Sequence, residues 1–281
     1  MTAAFPSELE ALLADDVPFG DLTTAALGIG GAAGRMTFRA RGPMVVAEVE
    51  SAVAVLRLAG CDSVTAQARS GDCLDAGAVI LTAAGTAQSL HRGWKVSQTL
   101  IEAWSGVASA ARAIVDAARR VAPDIGIACT RKNTPGTKTF AARAVQAGGA
   151  SMHRLGLSES VLVFPEHRAF LADVPLGDLV ARLRRAVPEK KIVIEAKTIA
   201  AALEAAAAGF DVIQAEKFSP ADVKELVAAL QGAAKRPLVA AAGGITTENA
   251  ADYASTGADV LVTSMPYFAR PRDVAVTIDS A

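Results

Sequence analysis

The chain has 281 residues, of which 52% are hydrophobic, and its formal net charge is -1. This length and apolar content allow a large buried core and exclude a disordered protein, while the balanced charge excludes an overall attraction to nucleic acid or anionic membranes. No apolar run reaches the roughly 18 to 20 residues of a membrane span, and the N-terminus lacks a signal-peptide pattern. The three cysteines show neither disulfide nor zinc-site spacing. We therefore expect a cytoplasmic protein with reduced thiols that neither binds nucleic acid nor inserts into a membrane.

The first half of the chain predicts a small α+β module and a long helix. Between Gly34 and Leu90, the stretches GRMTFRARGPMVVAE and DSVTAQARSGDCLDAGAVILTAAG alternate between polar and apolar residues, whereas SAVAVLRLAG has helical spacing. From Trp94 to Val121 apolar residues recur at helical spacing, and Pro123 follows. We predict a connecting helix there, with a candidate break at Ser105-Gly106.

After Pro123 the pattern changes to short apolar runs, most of them separated by helical segments. The runs are IGIAC, GASMH, SVLVF, KIVIEA, DVIQAE, PLVAAAG and ADVLVTS. Such runs are typical of buried parallel strands, so their repetition predicts a closed or nearly closed α/β barrel. Two helix starts are predicted, one at Ser219-Pro220 and one at Thr246-Thr247-Glu248.

Polar groups follow each of these seven runs. They are Thr130-Arg131-Lys132, His153-Arg154, Glu166-His167, Glu195 with Lys197, Glu216 with Lys217, Gly243-Gly244 and Thr263-Ser264. Parallel barrels build their sites at the carboxyl ends of their strands, so the pattern predicts one shared site. Contact with solvent would explain any single polar strand end, but it is a poor explanation for seven in succession.

The stretch CTRKNTPGTKTF predicts an anion-binding loop. Four cations would share the mouth of the barrel: Arg131, Lys132, Lys138 and Arg154. Crowded positive charge is unfavourable without an anionic ligand, so a multiply charged substrate is implied. The hydroxyl of Thr130 and the backbone amides of the Pro135-Gly136 turn add donors for phosphate or carboxylate oxygens.

Two further groups suggest phosphate and metal or ribose binding. In AAAGGITTEN, Gly243 and Gly244 leave a strand before a Thr-capped helix, so backbone amides and a helix dipole would point at one spot; a simple turn is the alternative. Glu195 and Glu216 could bind Mg²⁺ or ribose hydroxyls, or they could pair with neighbouring lysines. His153 beside an arginine permits a cationic or acid-base role, since its spacing matches no metal motif.

In combination the motifs resemble quinolinate phosphoribosyltransferase, also called nicotinate-nucleotide pyrophosphorylase (carboxylating). The resemblance runs through DDVPFGDLTT, SGVASAAR, TRKNTPGTK, GGASMHRLGLSESVL, QAEKFSP, AAGGITTEN and TGAD. It implies an α/β protein in which an N-terminal α/β sandwich precedes an incomplete TIM-like α/β barrel. We accordingly assign residues 1–122 to the sandwich with its connecting helix and residues 123–281 to the barrel, with the C-terminal residues as candidates to return to the N-terminal domain.

The resemblance also implies an activity. Family members join quinolinate to phosphoribosyl pyrophosphate with Mg²⁺ as helper, release pyrophosphate and carbon dioxide, and form homodimers that share their active sites between subunits. Carried over by motif, the catalytic residues are Arg131, Lys132, Glu195 and Glu216, the two glutamates also being the candidate Mg²⁺ ligands. Substrate-binding positions are Lys95, Thr130, His153, Arg154, Phe164 and Lys197. Phosphate-binding positions are Gly243, Gly244, Thr263 and Ser264.

The departures from the family pattern concern the acceptor. SVLVFPEH stands where the family usually reads VLIKDNH, so Phe164 replaces a pocket lysine; Lys95 replaces an arginine, Lys197 a second acid, and Glu216-Lys217 an Asp-Asn pair. Losing one charged contact typically costs about 1.5 to 3 kcal/mol. The phrases HRGWK, HRLGLSES and FPEHR are similar to the ModD-type subgroup associated with molybdenum-transport operons. The acceptor therefore stays open, and a non-catalytic or diverged nucleotide- or oxyanion-binding accessory protein is the alternative function.

Overall fold

The computed structural model describes residues 3–281, and they divide into two compact units. The first consists of the residues up to Arg112 together with Thr134–Gly149 and Pro266–Ala281, and the second of Ala113–Asn133 and Ala150–Met265. The units interleave along the chain because two later segments join the first unit. The division between residues 122 and 123 that we assigned from the sequence follows chain order and stays a prediction.

Helices and strands are interspersed throughout residues 3–281. The first part forms α1 (Pro6–Asp16), α2 (Leu22–Ala26), β1 (Ala33–Ala40), β2 (Met44–Val45), α3 (Val49–Leu58), β3 (Ser63–Ala66), β4 (Cys73–Leu74), β5 (Val79–Thr86) and α4 (Ala87–Arg119). The rest forms β6 (Gly126–Cys129), α5 (Lys138–Ala147), β7 (Ser151–Met152), β8 (Val161–Val163), α6 (Pro165–Arg168), α7 (Leu176–Ala186), β9 (Ile192–Ala196), α8 (Ile199–Ala208), β10 (Val212–Glu216), α9 (Pro220–Leu230), β11 (Leu238–Ala242), α10 (Ala250–Ala254), β12 (Val260–Thr263), a 3₁₀ helix (Met265–Phe268) and β13 (Val274–Ser280).

The first unit is an α/β sandwich, as the sequence predicts. Its antiparallel sheet has the order β13-β1-β5-β3. Strand β1 alternates between exposed and buried residues, and its buried Met36 and Phe38 pack in one core with Leu56 of α3 and Ile101 of α4. Period-two burial places one face of a strand on a core, which is why the alternating stretches form this sheet. Strand β13 pairs with β1, so the C-terminal residues do return to the N-terminal sheet.

The long helix α4 is continuous, so the predicted break at Ser105-Gly106 is wrong. The helix also begins at Ala87, seven residues before the predicted start. Ser105 accepts a hydrogen bond from the backbone N–H of Ala47 at 2.9 Å, and a Cβ on Gly106 would lie 2.4 Å from the carbonyl oxygen of Arg270. The small residues thus permit close packing inside the first unit. No helix formed by residues 3–281, α4 included, has both the length and the apolar content to cross a membrane.

The second unit contains a seven-stranded parallel sheet in the order β7-β6-β12-β11-β10-β9-β8. Strands β7 and β8 follow each other along the chain but lie at opposite edges of the sheet, so the sheet stays open within the described residues. This confirms the predicted incomplete barrel. Small apolar side chains, those of Ala240, Ala242 and Val262, pack together on one face.

The two predicted helix starts have different outcomes. Helix α9 begins as predicted, because Ser219 and Asp222 form a capping box in front of Pro220. Helix α10, in contrast, begins at Ala250 rather than at the threonine cluster. The side-chain oxygen of Asn249 accepts a hydrogen bond from the backbone N–H of Thr246, which holds the threonines in a turn. Asx side chains commonly stabilise turns in this way.

Candidate active site

The second unit brings the predicted polar residues to one edge of its sheet. Parallel strands end on the same side, and the register pairs Cys129 with Thr263 and Glu216 with Ala242 at the ends of their strands. The backbone continues this alignment beyond the strands, because Thr130 donates its N–H to the carbonyl of Thr263 and His153 donates to that of Cys129. Arg131, His153 and the acidic residues therefore follow neighbouring strand ends.

Two arginines form the cationic side of the site. Arg154 is only 6% exposed, and its pKa is lowered, mainly by burial and then by the positive charge of Arg131. The pKa of His153 is also lowered, mainly by burial and then by Arg154, which favours a neutral imidazole. A buried cation that faces another cation is poised for an anionic ligand.

Phe164 forms an aromatic wall against this cationic side. The guanidinium carbon of Arg154 lies 5.6 Å from the centroid of the Phe164 ring, within cation–π distance. The other ring partner is His167, stacked at 5.8 Å with an interplanar angle of 19°. The Phe164 backbone N–H also donates to Nδ1 of His167 at 3.0 Å. Phe164, which stands where the resembled family usually has a lysine, thus contacts Arg154 through its ring and adds no charge.

Two carboxylates form the acidic side. The pKa of Glu195 is raised, mainly by burial and then by the negative charge of Glu216, while Lys197 and Lys132 lower it and Glu166 raises it further. Lys197 is exposed, and its charge partly offsets the repulsion between the two acids. Glu216 is therefore close enough to Glu195 for its negative charge to disfavour ionisation of Glu195.

The donor set fits a Mg²⁺ ion that also contacts a substrate. Among residues 3–281 there is no group of three or more His, Cys, Asp or Glu side chains arranged to hold a metal. Mg²⁺ is usually bound through one or two carboxylates together with substrate phosphates and water. Glu195 and Glu216 supply that number of carboxylates, so they would hold the ion only when a phosphate-bearing ligand completes the coordination.

The glycine pair leaves β11 beside Glu216. Gly243 and Gly244 both have positive φ, 91° and 76°. A Cβ on Gly243 would lie 2.9 Å from Cγ of Lys217 and 3.1 Å from a carboxylate oxygen of Glu216, whereas a Cβ on Gly244 would meet open space. Because α10 has only five residues and starts later than predicted, the expected helix dipole contributes little. Phosphate binding here stays a prediction that rests on backbone access.

The two hydroxyls after β12 differ in their availability. Thr263 is 3% exposed; its hydroxyl donates to the carbonyl of Ile245 at 2.7 Å and accepts from the backbone N–H of Met265 at 3.1 Å. Its side chain therefore links β12 to the glycine loop. Its predicted phosphate contact stays a prediction, as does that of Ser264, which is half-buried.

A cleft of 330 Å³ lies beside Glu195, in the size range of small-molecule sites. Its walls come from α6, α7, β9 and α8 and include Arg168, Leu176, Ile194, Lys197 and Thr198. Lys197, a predicted substrate-binding residue, therefore lines a cavity.

Two lysines that we predicted to take part in the site, Lys95 and Lys138, lie in the first unit. The ammonium group of Lys95 is 4.2 Å from the centroid of the Trp94 ring, and it donates to the side-chain oxygen of Gln98 at 3.2 Å. Lys138 is the first residue of α5. Their contacts with a substrate stay predictions.

Sequence reasoning missed Gln214. This residue is 6% exposed and lies on β10, where the register pairs it with Glu195. A signal was present, because the run DVIQAE places an amide two residues before Glu216, and period-two alternation puts both side chains on one face of the strand.

Comparison with known proteins identifies relatives along most of the chain. The family model "Quinolinate phosphoribosyl transferase, C-terminal domain" matches residues 107–277, and the corresponding N-terminal domain model matches residues 21–105. A Rhodobacter capsulatus protein named as a ModD pyrophosphorylase is 51% identical over 249 residues, which are 89% of this chain and 95% of that protein.

More distant relatives carry a different name. A protein of Methanothermobacter thermautotrophicus, named as a nicotinate-nucleotide pyrophosphorylase (carboxylating), is 33% identical over 269 residues, which are 94% of this chain and 95% of that protein. The crystal structure of NadC from Streptococcus pyogenes is similar with a TM-score of 0.91 at 25% identity, covering 100% of both chains.

Proposed function

The chain belongs to the quinolinate phosphoribosyltransferase family, and we propose that it is a Mg²⁺-dependent phosphoribosyltransferase that joins an anionic aromatic acid to phosphoribosyl pyrophosphate and releases pyrophosphate. The observation that supports this proposal is that two pairs of like-charged residues lie at the sheet edge, one cationic and one acidic. Burial and then the charge of Arg131 lower the pKa of Arg154, and burial and then the charge of Glu216 raise the pKa of Glu195. A ligand that brings anionic groups to the arginines and a cation to the glutamates would offset the repulsion within both pairs.

The chemistry requires separation of charge. The bond from the ribose C1 to a pyrophosphate oxygen breaks, and a bond from C1 to the ring nitrogen of the acceptor forms. Arg131 and Lys132 would neutralise the leaving pyrophosphate, and Arg154 would hold an acceptor carboxylate at the correct distance. Glu195 and Glu216 would bind ribose hydroxyls or Mg²⁺. When bound, Mg²⁺ supplies further positive charge to the pyrophosphate oxygens.

The acceptor is an aromatic acid, with quinolinate as one candidate. The Phe164 ring offers an apolar surface in the site, and Arg154 beside it offers a guanidinium for a carboxylate. Phe164 also motivates a second candidate function, a non-catalytic or diverged nucleotide- or oxyanion-binding accessory protein linked to molybdenum transport, because an anion contact of the family is lost there.

A homodimer that shares its active sites is part of the proposal. The first unit exposes several large apolar side chains near its N-terminus: Phe5, Phe19, Leu22 and Leu27. Large exposed apolar side chains are common at protein–protein interfaces. A second copy of the chain is the expected partner, and sedimentation of the wild type and of Phe19→Ser tests it. A wild-type monomer with full activity would refute the dimer.

Pyrophosphate release tests the enzyme. The wild-type chain is incubated with phosphoribosyl pyrophosphate and quinolinate, nicotinate or other heterocyclic acids, with Mg²⁺ or with EDTA. We expect Mg²⁺-dependent release with at least one acid, and no release with any of them would refute the proposal. Calorimetry with molybdate and phosphoribosyl pyrophosphate separates the second candidate, because a transferase must bind the phosphoribosyl donor whereas an oxyanion-binding protein need not.

A further inference from the structure

Gln214 is a buried amide in the acidic part of the site. It is 6% exposed on β10, two residues before Glu216 and paired in register with Glu195 on one side and Ala240 on the other. Side chains in register on adjacent parallel strands share one face of a sheet. The amide therefore lies next to both candidate metal and ribose ligands.

The hydrogen bonds of this amide are incomplete. Its Nε2 lies 3.4 Å from a carboxylate oxygen of Glu216, a long contact for a hydrogen bond. Its Oε1 is buried and has no hydrogen-bond partner among residues 3–281. Buried acceptors without a donor are rare in folded proteins and destabilise them, so their presence in a site needs an explanation.

The neighbours determine which way the amide faces. The Nε2 group of Gln214 donates toward a carboxylate oxygen of Glu216, so the amide N–H faces that side chain. Oε1 then faces a surface whose other side chains in register are a carboxyl group, that of Glu195, and a methyl group, that of Ala240. Neither side chain donates to Oε1 in the structure, and a ligand hydroxyl would supply the missing donor.

We propose that Gln214 is a substrate-binding and positioning residue: its amide N–H orients Glu216, and its amide oxygen accepts a hydrogen bond from a ribose hydroxyl of the phosphoribosyl donor. This inference rests on the proposed function and extends it to a residue outside the predicted set.

The test uses Gln214→Met, which keeps the length of the side chain but removes both hydrogen-bonding groups. Ile213→Met is the matched control, because Ile213 is a fully buried neighbour on the same strand whose side chain points to the opposite face. Calorimetry measures two probes on the full chain: ribose 5-phosphate in EDTA, which has hydroxyls but no metal, and inorganic pyrophosphate with Mg²⁺, which has no hydroxyls of its own.

We expect Gln214→Met to weaken ribose 5-phosphate binding by about tenfold and to change pyrophosphate binding by less than about twofold. Ile213→Met should change neither. The melting temperature of Gln214→Met without ligand should stay equal or rise, because a buried acceptor without a donor has been removed. A purely structural glutamine would instead lower the melting temperature and leave binding of both probes unchanged.

Three results would overturn the assignment. Equal ribose 5-phosphate affinity in wild type and Gln214→Met shows that no ribose hydroxyl bonds to the amide. A loss confined to pyrophosphate with Mg²⁺ shows that a metal-bound water is the donor instead. If the wild type binds neither phosphoribosyl pyrophosphate nor ribose 5-phosphate, the proposed function fails and the assignment falls with it; the first two results leave the proposed function standing.

Discussion

In the first unit the buried carboxylate of Glu48 forms an ion pair with an arginine. In the second unit the pKa of the buried guanidinium of Arg154 is instead lowered by burial and by the like charge of another arginine. Glu48 is 1% exposed, and Nε of Arg143 donates to it at 2.8 Å. Ser51 also donates to Glu48, so this carboxylate has two partners in its own unit. Arg154 is similarly buried, yet Arg131 is the charge that most affects its pKa.

The difference separates charge that holds the fold from charge that awaits a ligand. Burial raises the pKa of Glu48 and Ser51 and Arg143 counter part of that rise, so partners inside the chain offset part of the loss of hydration. At the sheet edge of the second unit, the like charges of Glu195 and Glu216 repel each other, and so do those of Arg131 and Arg154. Like charges held together destabilise a free protein, and a bound ligand of opposite charge removes that destabilisation.

The largest expected effect is on the structural pair. Arg143→Met should lower the free energy of unfolding by about 3 to 5 kcal/mol, because it leaves the buried carboxylate of Glu48 without its charged partner. Urea unfolding measures the change. Arg41→Met is the control, since the ion pair of Arg41 with Asp273 is exposed and should contribute less than about 1 kcal/mol. Equal losses in the two variants would contradict a structural role for the buried pair.

The next effect is on the cationic side of the site. Arg131→Ala should weaken binding of phosphoribosyl pyrophosphate by roughly 10- to 100-fold, because a charged contact to phosphate is lost. Its melting temperature without ligand should not fall, because Arg154 is relieved of a like charge. Calorimetry and thermal unfolding measure the two quantities, with Arg185→Ala on the exposed face of α7 as control. A destabilised variant with normal binding would show that Arg131 stabilises the fold and does not bind the ligand.

A smaller effect is expected at the aromatic wall. Phe164→Lys should raise quinolinate affinity by about tenfold, because it restores a cation beside Arg154 that a second carboxylate can neutralise. Phe164→Met, which removes the ring without adding charge, should show no gain. Equilibrium binding of quinolinate compares the variants. An unchanged affinity in Phe164→Lys would show that the acceptor pocket departs from the family at more than this position.

The smallest effect is a pH-dependent change in stability. A raised carboxyl pKa means that the folded chain holds its proton more tightly than the unfolded chain, so stability is lost as the pH rises from the ordinary Glu range through the raised pKa. Glu195→Gln removes this loss and should slightly raise the melting temperature at pH 7.5, with the difference shrinking toward pH 4.5. Glu225→Gln, at an exposed position on α9, is the control. A lower melting temperature of Glu195→Gln at pH 7.5 would mean that the surroundings of Glu195 stabilise its charged form.

The architecture was largely predictable because it depends on short-range patterns. Alternation in the N-terminal stretches specified strands, and seven apolar runs after Pro123 specified seven parallel strands. The Ser219-Pro220 signal correctly marked the start of α9. The errors arose where a small or polar residue had a tertiary use: Gly106 permits close packing, and Asn249 holds a turn that delays α10.

The sequence predicted which residues lie at the strand ends of the candidate site, but it did not predict the hydrogen bonds and contacts among them. A motif of seven polar strand ends states which residues meet, since parallel strands all end at one edge. It does not state which hydroxyl is already engaged, as that of Thr263 is with Ile245, or which apolar strand carries a buried amide, as β10 does. Those facts depend on register between strands that are far apart along the chain.

Residue order alone therefore indicates the family, most of the strands and helices, and the charges available at the sheet edge, because periodicity and local motifs act over a few residues. Folding in three dimensions sets Arg154 against Phe164, pairs Gln214 with Glu195, and distinguishes the paired charge of Glu48 from the opposed charges of the site. These relations join residues from different strands and helices, and their energies depend on burial and distance, which exist only in the folded chain.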